Sequence, residues 1–236
     1  MAGTLYVVAT PIGNLGDITL RAIETLKSAD LIACEDTRRT AILLKAYEIH
    51  TPTTSYHSYS KQRKTDKILE VLREGKRVAL VSDAGLPGIS DPGTTLIHAA
   101  IAAGASVTII PGATAALAGL VLSGFPTDRF VFEGFLPVKA GARRKRLEFL
   151  RGEDRTAIVY ESPHRMLKTL ADIHAIFGDI PLSVSREITK VFEETRRQRV
   201  SELLAHFTAR PPRGEFVIVL PPKQMQNNGP RPVPRP

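Results

Sequence analysis

Asp83 and Asp91 bracket a run, Ala84-Gly85-Leu86-Pro87-Gly88-Ile89-Ser90, that neither a helix nor a strand can accommodate. From Asp83 to Gly93 the chain holds three glycines and two prolines, which free the backbone at some positions and remove N–H donors at others. The apolar run Val78-Ala79-Leu80-Val81 precedes it and a helical pattern from Thr94 to Ala103 follows. An ordered crossing loop is expected at the carboxyl end of a strand, where open α/β sheets bind their ligands. Ordinary turns of this kind run about two to six residues. A longer one, with bare glycine backbone and two carboxylates, suits a ligand that must approach the main chain closely.

Six further polar clusters stand at the ends of apolar runs: Pro11 to Asp17, Glu35 to Arg39, Pro111 to Ala115, Glu161 to Arg165, Arg186 to Lys190 and Arg213 to Glu215. Singly, each is the usual chemistry of caps and turns. Together at the ends of core strands they point to a shared cleft between the halves of the chain. Common cofactor signatures are missing. No G-x-G-x-x-G follows a strand, there is no G-x-x-x-x-G-K-[ST], and neither H-E-x-x-H nor a His/Cys cluster offers a metal site. The single cysteine, Cys34, excludes internal disulfides and lies in Leu31-Ile32-Ala33-Cys34, where a buried thiol is expected.

The elements that must position these clusters alternate. Strands are read at Leu5–Ala9, Leu31–Cys34, Thr53–His57, Val78–Val81 and Val107–Ile110, with helices between them: one capped by Thr19, one through Leu43 and Leu44, Lys61–Glu74 closed by Gly75, and Thr94–Ala103. Such alternation implies βαβ units and a mainly parallel sheet. After Pro111-Gly112 the pattern restarts. Helices are expected at Thr114–Ser123, Gly141–Arg151, the stretch ending at Phe177, and Ser201–Ala209. Strands are expected at Phe130–Phe135, Thr156–Glu161, Leu182–Ile188, Phe192–Arg196 and Phe216–Leu220. The expected domains are 1–112 and 113–220, the second with a mixed sheet. The last sixteen residues, 221–236, carry six prolines and read as a disordered tail.

Thirty-two Lys and Arg against twenty-four Asp and Glu give a net charge of +8, which favours a polyanionic partner, chiefly nucleic acid. Lys139 to Arg151 concentrates six of the basic residues around one acid, Glu148. Leu147 and Leu150 would pack inward while Arg143, Arg144 and Arg146 face water or RNA. The stretch Pro92–Thr127 has no charged residue, but Gly104, Pro111 and Gly112 break it into pieces too short to span a bilayer. The N-terminus lacks the basic and apolar regions of a secretory signal, so a cytosolic protein is expected.

The runs TPIGNLGDITLRAIETLKSADLIACEDTRRT, LVSDAGLPGISDPG, PGATAA, DRFVFEGFLP, YESPHRM, SREITKVFEET and PRGEFVIV resemble the ribosomal small-subunit methyltransferase I family, from Leu5 to Leu220 in order. That family has the tetrapyrrole-methylase fold of S-adenosylmethionine (SAM) enzymes. The resemblance implies two α/β domains with SAM in a cleft between them, a homodimer, and 2′-O-methylation of a cytidine in the decoding region of 16S rRNA of the small ribosomal subunit. Carried over by motif, it places SAM contacts at Pro11, at Ala84, Gly85, Leu86 and Ile89, at Thr114 and Ala115, at Glu161, near Arg186, and at Gly214, Glu215 and Phe216. Two features depart from the family pattern. Arg196-Arg197-Gln198-Arg199 replaces an Arg/His-Gly, and the Pro-rich tail stands where many members have a helical extension.

A ribose 2′-hydroxyl is a weak nucleophile that must be aligned with the methyl group and relieved of its proton. Candidate bases are Asp36, Asp83, Glu161, His164 and Glu187, with Lys190 eligible only if its pKa were depressed. Structural roles compete for each: Asp36 with Arg38 as a helix cap and ion pair, Glu187 with Lys190 as a pair across a turn, His164 as a cap. Arg38, Arg165 and Lys190, with Arg143, Arg144 and Arg146, are the candidate RNA contacts. A uroporphyrinogen or precorrin methylase on the same fold, and a catalytically idle RNA-binding module, are the two rival readings. The EDTRRT and YESPHR runs and the basic balance weigh against the first, and the intact SAM loops against the second.

Overall fold

Ten strands, most of them aliphatic and β-branched runs, form among the described residues of the computed structural model, which are 3–56 and 61–226. The chain divides into two compact units, Met1–Thr114 and Ala115–Pro236. In the first, β1 (Thr4–Val8), β2 (Leu31–Cys34), β3 (Thr53–Ser55), β4 (Arg77–Val81) and β5 (Ser106–Ile110) form one sheet in the order β3-β2-β4-β1-β5. Every pairing in it is parallel. Between the strands run α1 (Leu20–Ser28), α2 (Thr37–Ala46), α3 (Lys61–Arg73) and α4 (Thr94–Ala102).

Both faces of this sheet are buried, which is why its strands read as continuous apolar runs. Alternate residues separate cleanly. Val8, Ile32, Cys34, Ala79 and Val81 pack with Ala22 and Leu26 of α1 and Leu43 and Leu44 of α2. Leu5, Ala33, Val78 and Leu80 pack with Ile68, Leu69 and Leu72 of α3 and Leu96 and Ala100 of α4. From β1 the chain crosses past β4 to β2, whereas from β4 it crosses past β1 to β5. The loops leaving the adjacent strands β1 and β4 therefore diverge, which makes their carboxyl ends a topological switch point. Thr19 caps α1 as expected, its hydroxyl accepting from the Ala22 amide at 3.1 Å. Cys34 is buried, and burial pushes its thiol pKa up. The third strand is shorter than expected, and His57 lies outside the described residues.

The second unit contains α5 (Ala115–Ser123), β6 (Phe130–Phe135), α6 (Ala140–Arg151), β7 (Thr156–Glu161), α7 (Met166–Phe177), β8 (Pro181–Arg186), β9 (Glu194–Arg199), α8 (Val200–Ala209) and β10 (Phe216–Leu220). Its sheet is mixed, in the order β6-β7-β10-β8-β9, with β6 and β7 parallel and the other neighbours antiparallel. One face carries Leu147, Leu150, Met166, Leu170, Leu203 and Phe207 from α6, α7 and α8. Against β10, α5 comes so close that a Cβ on Gly119 would lie 2.6 Å from Val217 Cγ1.

Two expectations are corrected here. The ninth strand begins at Glu194, not Phe192, because Glu187 (φ 48°) and Thr189 (φ 67°) end β8 early and close a loop that leaves Val191 and Phe192 exposed. Residues 221–226 are docked rather than disordered. Pro221 and Pro222 are buried, the Lys223 amide donates to the Glu153 carbonyl at 2.9 Å, and the Gln226 side chain donates to the Arg151 carbonyl at 3.2 Å. Residues 227–236 lie outside the described residues. Among the described residues no helix is long and apolar enough to cross a membrane.

Candidate functional site

At the switch point of the first unit, the loop after β1 is tied to the loop after β4. Thr10 and Gly85 exchange main-chain hydrogen bonds at 2.9 and 3.1 Å, and the Thr10 hydroxyl donates to the Ser82 carbonyl at 3.2 Å. Pro11 and the segment Ala84 to Ile89 are thereby held side by side. Gly85 (φ 76°), Gly88 (φ 87°) and Gly93 (φ 144°) take conformations that disfavour side chains, and Ser90 (φ 63°) is strained among them. A Cβ on Gly85 would meet the protein only at ordinary contact distance, 3.5 Å from Ile12 Cγ2. The backbone here is bare without being packed shut, which suits close approach by a ligand.

The carboxylates beside this loop form one connected set. Asp83 Oδ1 accepts from the Asp36 amide at 3.1 Å, and its Oδ2 pairs with Arg39 at 3.1 Å. Asp36 caps α2 through the Arg38 amide at 2.9 Å and takes the Arg38 guanidinium on both oxygens, at 3.1 and 2.7 Å. Those bonds to the Arg38 side chain and amide hold Asp36 at a pKa of about 2, so it is a cap and ion-pair partner rather than a base near neutral pH. Glu35 behaves oppositely. Burial, and then repulsion from Asp83, raise its pKa above the ordinary glutamate value. Glu35, Asp36, Thr37, Arg38, Arg39, Ser55 and Asp83 line a cavity of about 500 Å³. The candidate bases did not include Glu35. Its signal was its place directly after the core strand β2, next to the strand that carries Asp83.

In the second unit the start of antiparallel β10 brings three clusters to one end of the sheet, because Phe216 pairs with Glu161 on one side and Arg186 on the other. Glu161 is fully buried. It accepts from the Ser162 amide at 2.8 Å, from Arg165 at 2.8 and 3.0 Å, and from the Thr169 hydroxyl. Its acceptor capacity is committed to fixing the start of α7, so Glu161 is an anchor here. Arg165 is held with it, and its Nη2 also donates to the Leu136 carbonyl at 2.9 Å. His164 is exposed and does not cap α7, whose cap position is Arg165.

Glu187 accepts from Lys190 at 3.0 Å and from the Glu215 amide at 3.1 Å. Burial alone would raise its pKa, but Lys190 and the Glu215 amide outweigh burial and lower it. Lys190 is correspondingly raised: burial works against its charge, while Glu187 and Glu215 favour it, which removes it as a base. Arg186 pairs with Glu194 at 2.7 Å. Gly214 (φ 85°) lies against the Glu187 carboxylate, where a Cβ would collide with it.

The arginines of α6 do not form a solvated face. Arg143 is buried and pairs with the buried Asp172 of α7 at 2.6 Å, Arg144 reaches the same carboxylate at 2.7 Å, and Arg146 pairs with Glu133 of β6 at 2.6 Å. As an RNA contact Arg143 is therefore ruled out by burial, whereas Arg144 and Arg146 keep part of their side chains exposed. Among the described residues no group of three or more His, Cys, Asp or Glu is placed to hold a metal ion.

Comparison with known proteins identifies the family and the fold. Residues 4–204 match the family model of tetrapyrrole (corrin/porphyrin) methylases. Ribosomal RNA small subunit methyltransferase I of Synechocystis sp. is 51% identical over 219 residues, covering 92% of this chain and 78% of that protein. The protein of the same name from Thermotoga maritima is 46% identical over 222 residues, 94% of this chain and all of its own length. Among solved structures, cobalt precorrin-4 methyltransferase superposes with a TM-score of 0.66 at 18% identity, covering 92% of this chain and 94% of that one. The uroporphyrin-III C-methyltransferase of Thermus thermophilus, solved with S-adenosylhomocysteine, gives 0.64 at 18%, covering 92% and 97%. At such identities these two likenesses speak to the fold alone.

Proposed function

The chain belongs to the ribosomal RNA small subunit methyltransferase I family of tetrapyrrole methylases, and we propose that it transfers the methyl group of SAM to the ribose 2′-hydroxyl of a decoding-region cytidine in 16S rRNA. The observation that carries this reading is identity near one half with relatives of that name, over more than nine tenths of the chain. The bare, bridged loops at the switch point support it. Pro11, Ala84, Gly85, Leu86 and Ile89 offer main-chain groups and little side-chain bulk to the donor, whose sulfonium supplies an already activated methyl group. Most of the acceleration then comes from holding the hydroxyl in line with that methyl and removing its proton. We read the protein as a cytoplasmic homodimer; sedimentation as a monomer at micromolar concentration would refute the dimer.

The test is transfer of tritiated methyl from SAM to small ribosomal subunits purified from cells lacking this methylation, followed by digestion to nucleosides. Label in 2′-O-methylcytidine is expected. Label on a base, or label accepted by uroporphyrinogen and not by the subunits, would overturn the reading.

A further inference from the structure

We propose that the cavity at the carboxyl ends of β2, β3 and β4 is the acceptor subsite. It takes one ribose–phosphate unit of RNA, with the phosphate on Arg38 and Arg39 and the reacting hydroxyl on Glu35. This rests on the methyl-transfer reading above and names the residues that would hold its acceptor.

Volume and chemistry both fit. A cavity of about 500 Å³ suits a nucleotide-sized group. The described residues that line it all carry polar or charged groups, with Ser55 and Thr37 hydroxyls beside carboxylates and guanidiniums. A tetrapyrrole would need an apolar face for its macrocycle, whereas a sugar–phosphate needs hydrogen-bond partners and positive charge. The guanidiniums stand at the rim, Arg38 88% and Arg39 69% exposed at the side chain. Each keeps N–H donors beyond those used on Asp36 and Asp83, and such donors bind phosphate oxygens well. Asp83, in the wall, directly precedes Ala84 and Gly85 in the chain, so the cavity adjoins the start of the loop assigned to the donor.

Within the cavity the carboxylates have different work. Asp36 is consumed by the α2 cap and Arg38, and Asp83 by the Asp36 amide and Arg39. Glu35 is left as the basic one. The charged groups around it are Asp83 from the β4 loop, Asp36, Arg38 and Arg39 at the start of α2, and Lys64 of α3, which donates to the Ser55 hydroxyl. Burial and the two acids raise its proton affinity, and Arg39 with the Asp83 amide only partly offsets them. In the reaction the ribose O–H bond breaks and its proton passes to the Glu35 carboxylate. The O–CH₃ bond forms as the S–CH₃ bond breaks, and the donor leaves as neutral S-adenosylhomocysteine. Glu35 then gives its proton to water.

The experiment uses the full chain with undermethylated small subunits and tritiated SAM. Glu35→Gln is expected to lower kcat about 100-fold while leaving SAM affinity by calorimetry unchanged. The wild type should lose activity as pH falls through the raised Glu35 pKa, and Glu35→Gln should lack that acid limb. Glu35→Asp should restore both the limb and part of the rate. Arg39→Ala should raise KM for subunits and flatten the log–log salt dependence of binding by about 0.7 to 0.9 for one lost phosphate contact. A Glu35→Gln enzyme with wild-type kcat and acid limb, or an Arg39→Ala enzyme with unchanged KM and salt slope, overturns the subsite. Failure of the underlying reading looks different: the wild type itself would place no methyl on ribose, and the subsite would fall with it.

Discussion

Replacing Arg143 with alanine strips the buried Asp172 carboxylate of its closest partner. Asp172 is only 6% exposed at the side chain and holds Arg143 through Nη2 at 2.6 Å and Nε at 2.7 Å. Breaking a buried pair from one side costs about 3–5 kcal/mol, because the remaining charge is left without compensation. Here Arg144 still reaches Asp172 Oδ1 at 2.7 Å, so the lower end, about 3 kcal/mol, is expected. For a chain of this size that lowers Tm by about 6–12 °C. Arg144→Ala removes a side chain that is 61% exposed and should cost no more than about 1 kcal/mol. The two units need not melt together, so hydrogen exchange at α6 and α7 amides, alongside thermal melts, locates the loss.

The pH dependence has a fixed sign. Burial favours the neutral form of Asp172, but Arg144 and Arg143 outweigh it and hold its folded pKa below the ordinary aspartate value. The stabilisation is therefore full above the unfolded pKa of about 3.9 and is lost as pH falls through the lower folded value. The wild-type advantage over Asp172→Asn should shrink in that acid window. An apolar replacement of both partners, Arg143→Met with Asp172→Leu, should recover most of the loss. If Arg143→Ala melts within about 1 kcal/mol of wild type, or no lower than Arg144→Ala, the buried-pair reasoning fails.

Other outcomes follow from single contacts. Gly85→Val should remain folded yet lose SAM affinity in calorimetry, since φ 76° is an outlier for a β-branched residue and the new side chain would enter the donor loop; unchanged affinity would remove that loop from the site. Gly119→Ala should destabilise by about 1–3 kcal/mol by overpacking, even though helix propensity favours alanine by about 1 kcal/mol. The new Cβ would sit 2.6 Å from Val217 Cγ1, and chemical denaturation showing a gain in stability would mean that α5 shifts freely. Cys34, buried with its pKa pushed up, should resist thiol reagents in the native state and react on unfolding.

The first sheet was legible because its strands are buried on both faces, and such strands announce themselves as apolar runs between helical periods. The ninth strand was not. It is an edge strand, Glu194–Arg199, paired only to β8 and built from charged and polar residues, so the apolar signal pulled the reading back onto Phe192. The burial of Arg143 was equally invisible. Its local run looks like a basic face, and the carboxylate that draws it inward lies on the next helix, far along the chain at Asp172. Charge runs report a side chain's neighbours in sequence, whereas burial depends on its neighbours in space.

The same limit explains the site. Each cluster could be located from its place after a strand, but which clusters meet depends on strand order. In the order β3-β2-β4-β1-β5, β4 inserts between β2 and β1, with Cys34 opposite Val81. That one insertion sets Glu35 and Asp36 beside Asp83, and sets Asp83 beside the loop that Thr10 bridges. Of the carboxylates singled out by sequence, Asp36 and Glu187 are each tied to a guanidinium or ammonium group and to main-chain amides. Such bonds favour the ionised form and weaken a base. A residue that must take a proton has to escape that fate. Glu35 does so by being partly buried and facing another acid, an arrangement created by the parallel neighbours β2 and β4 and by no feature of its own local sequence.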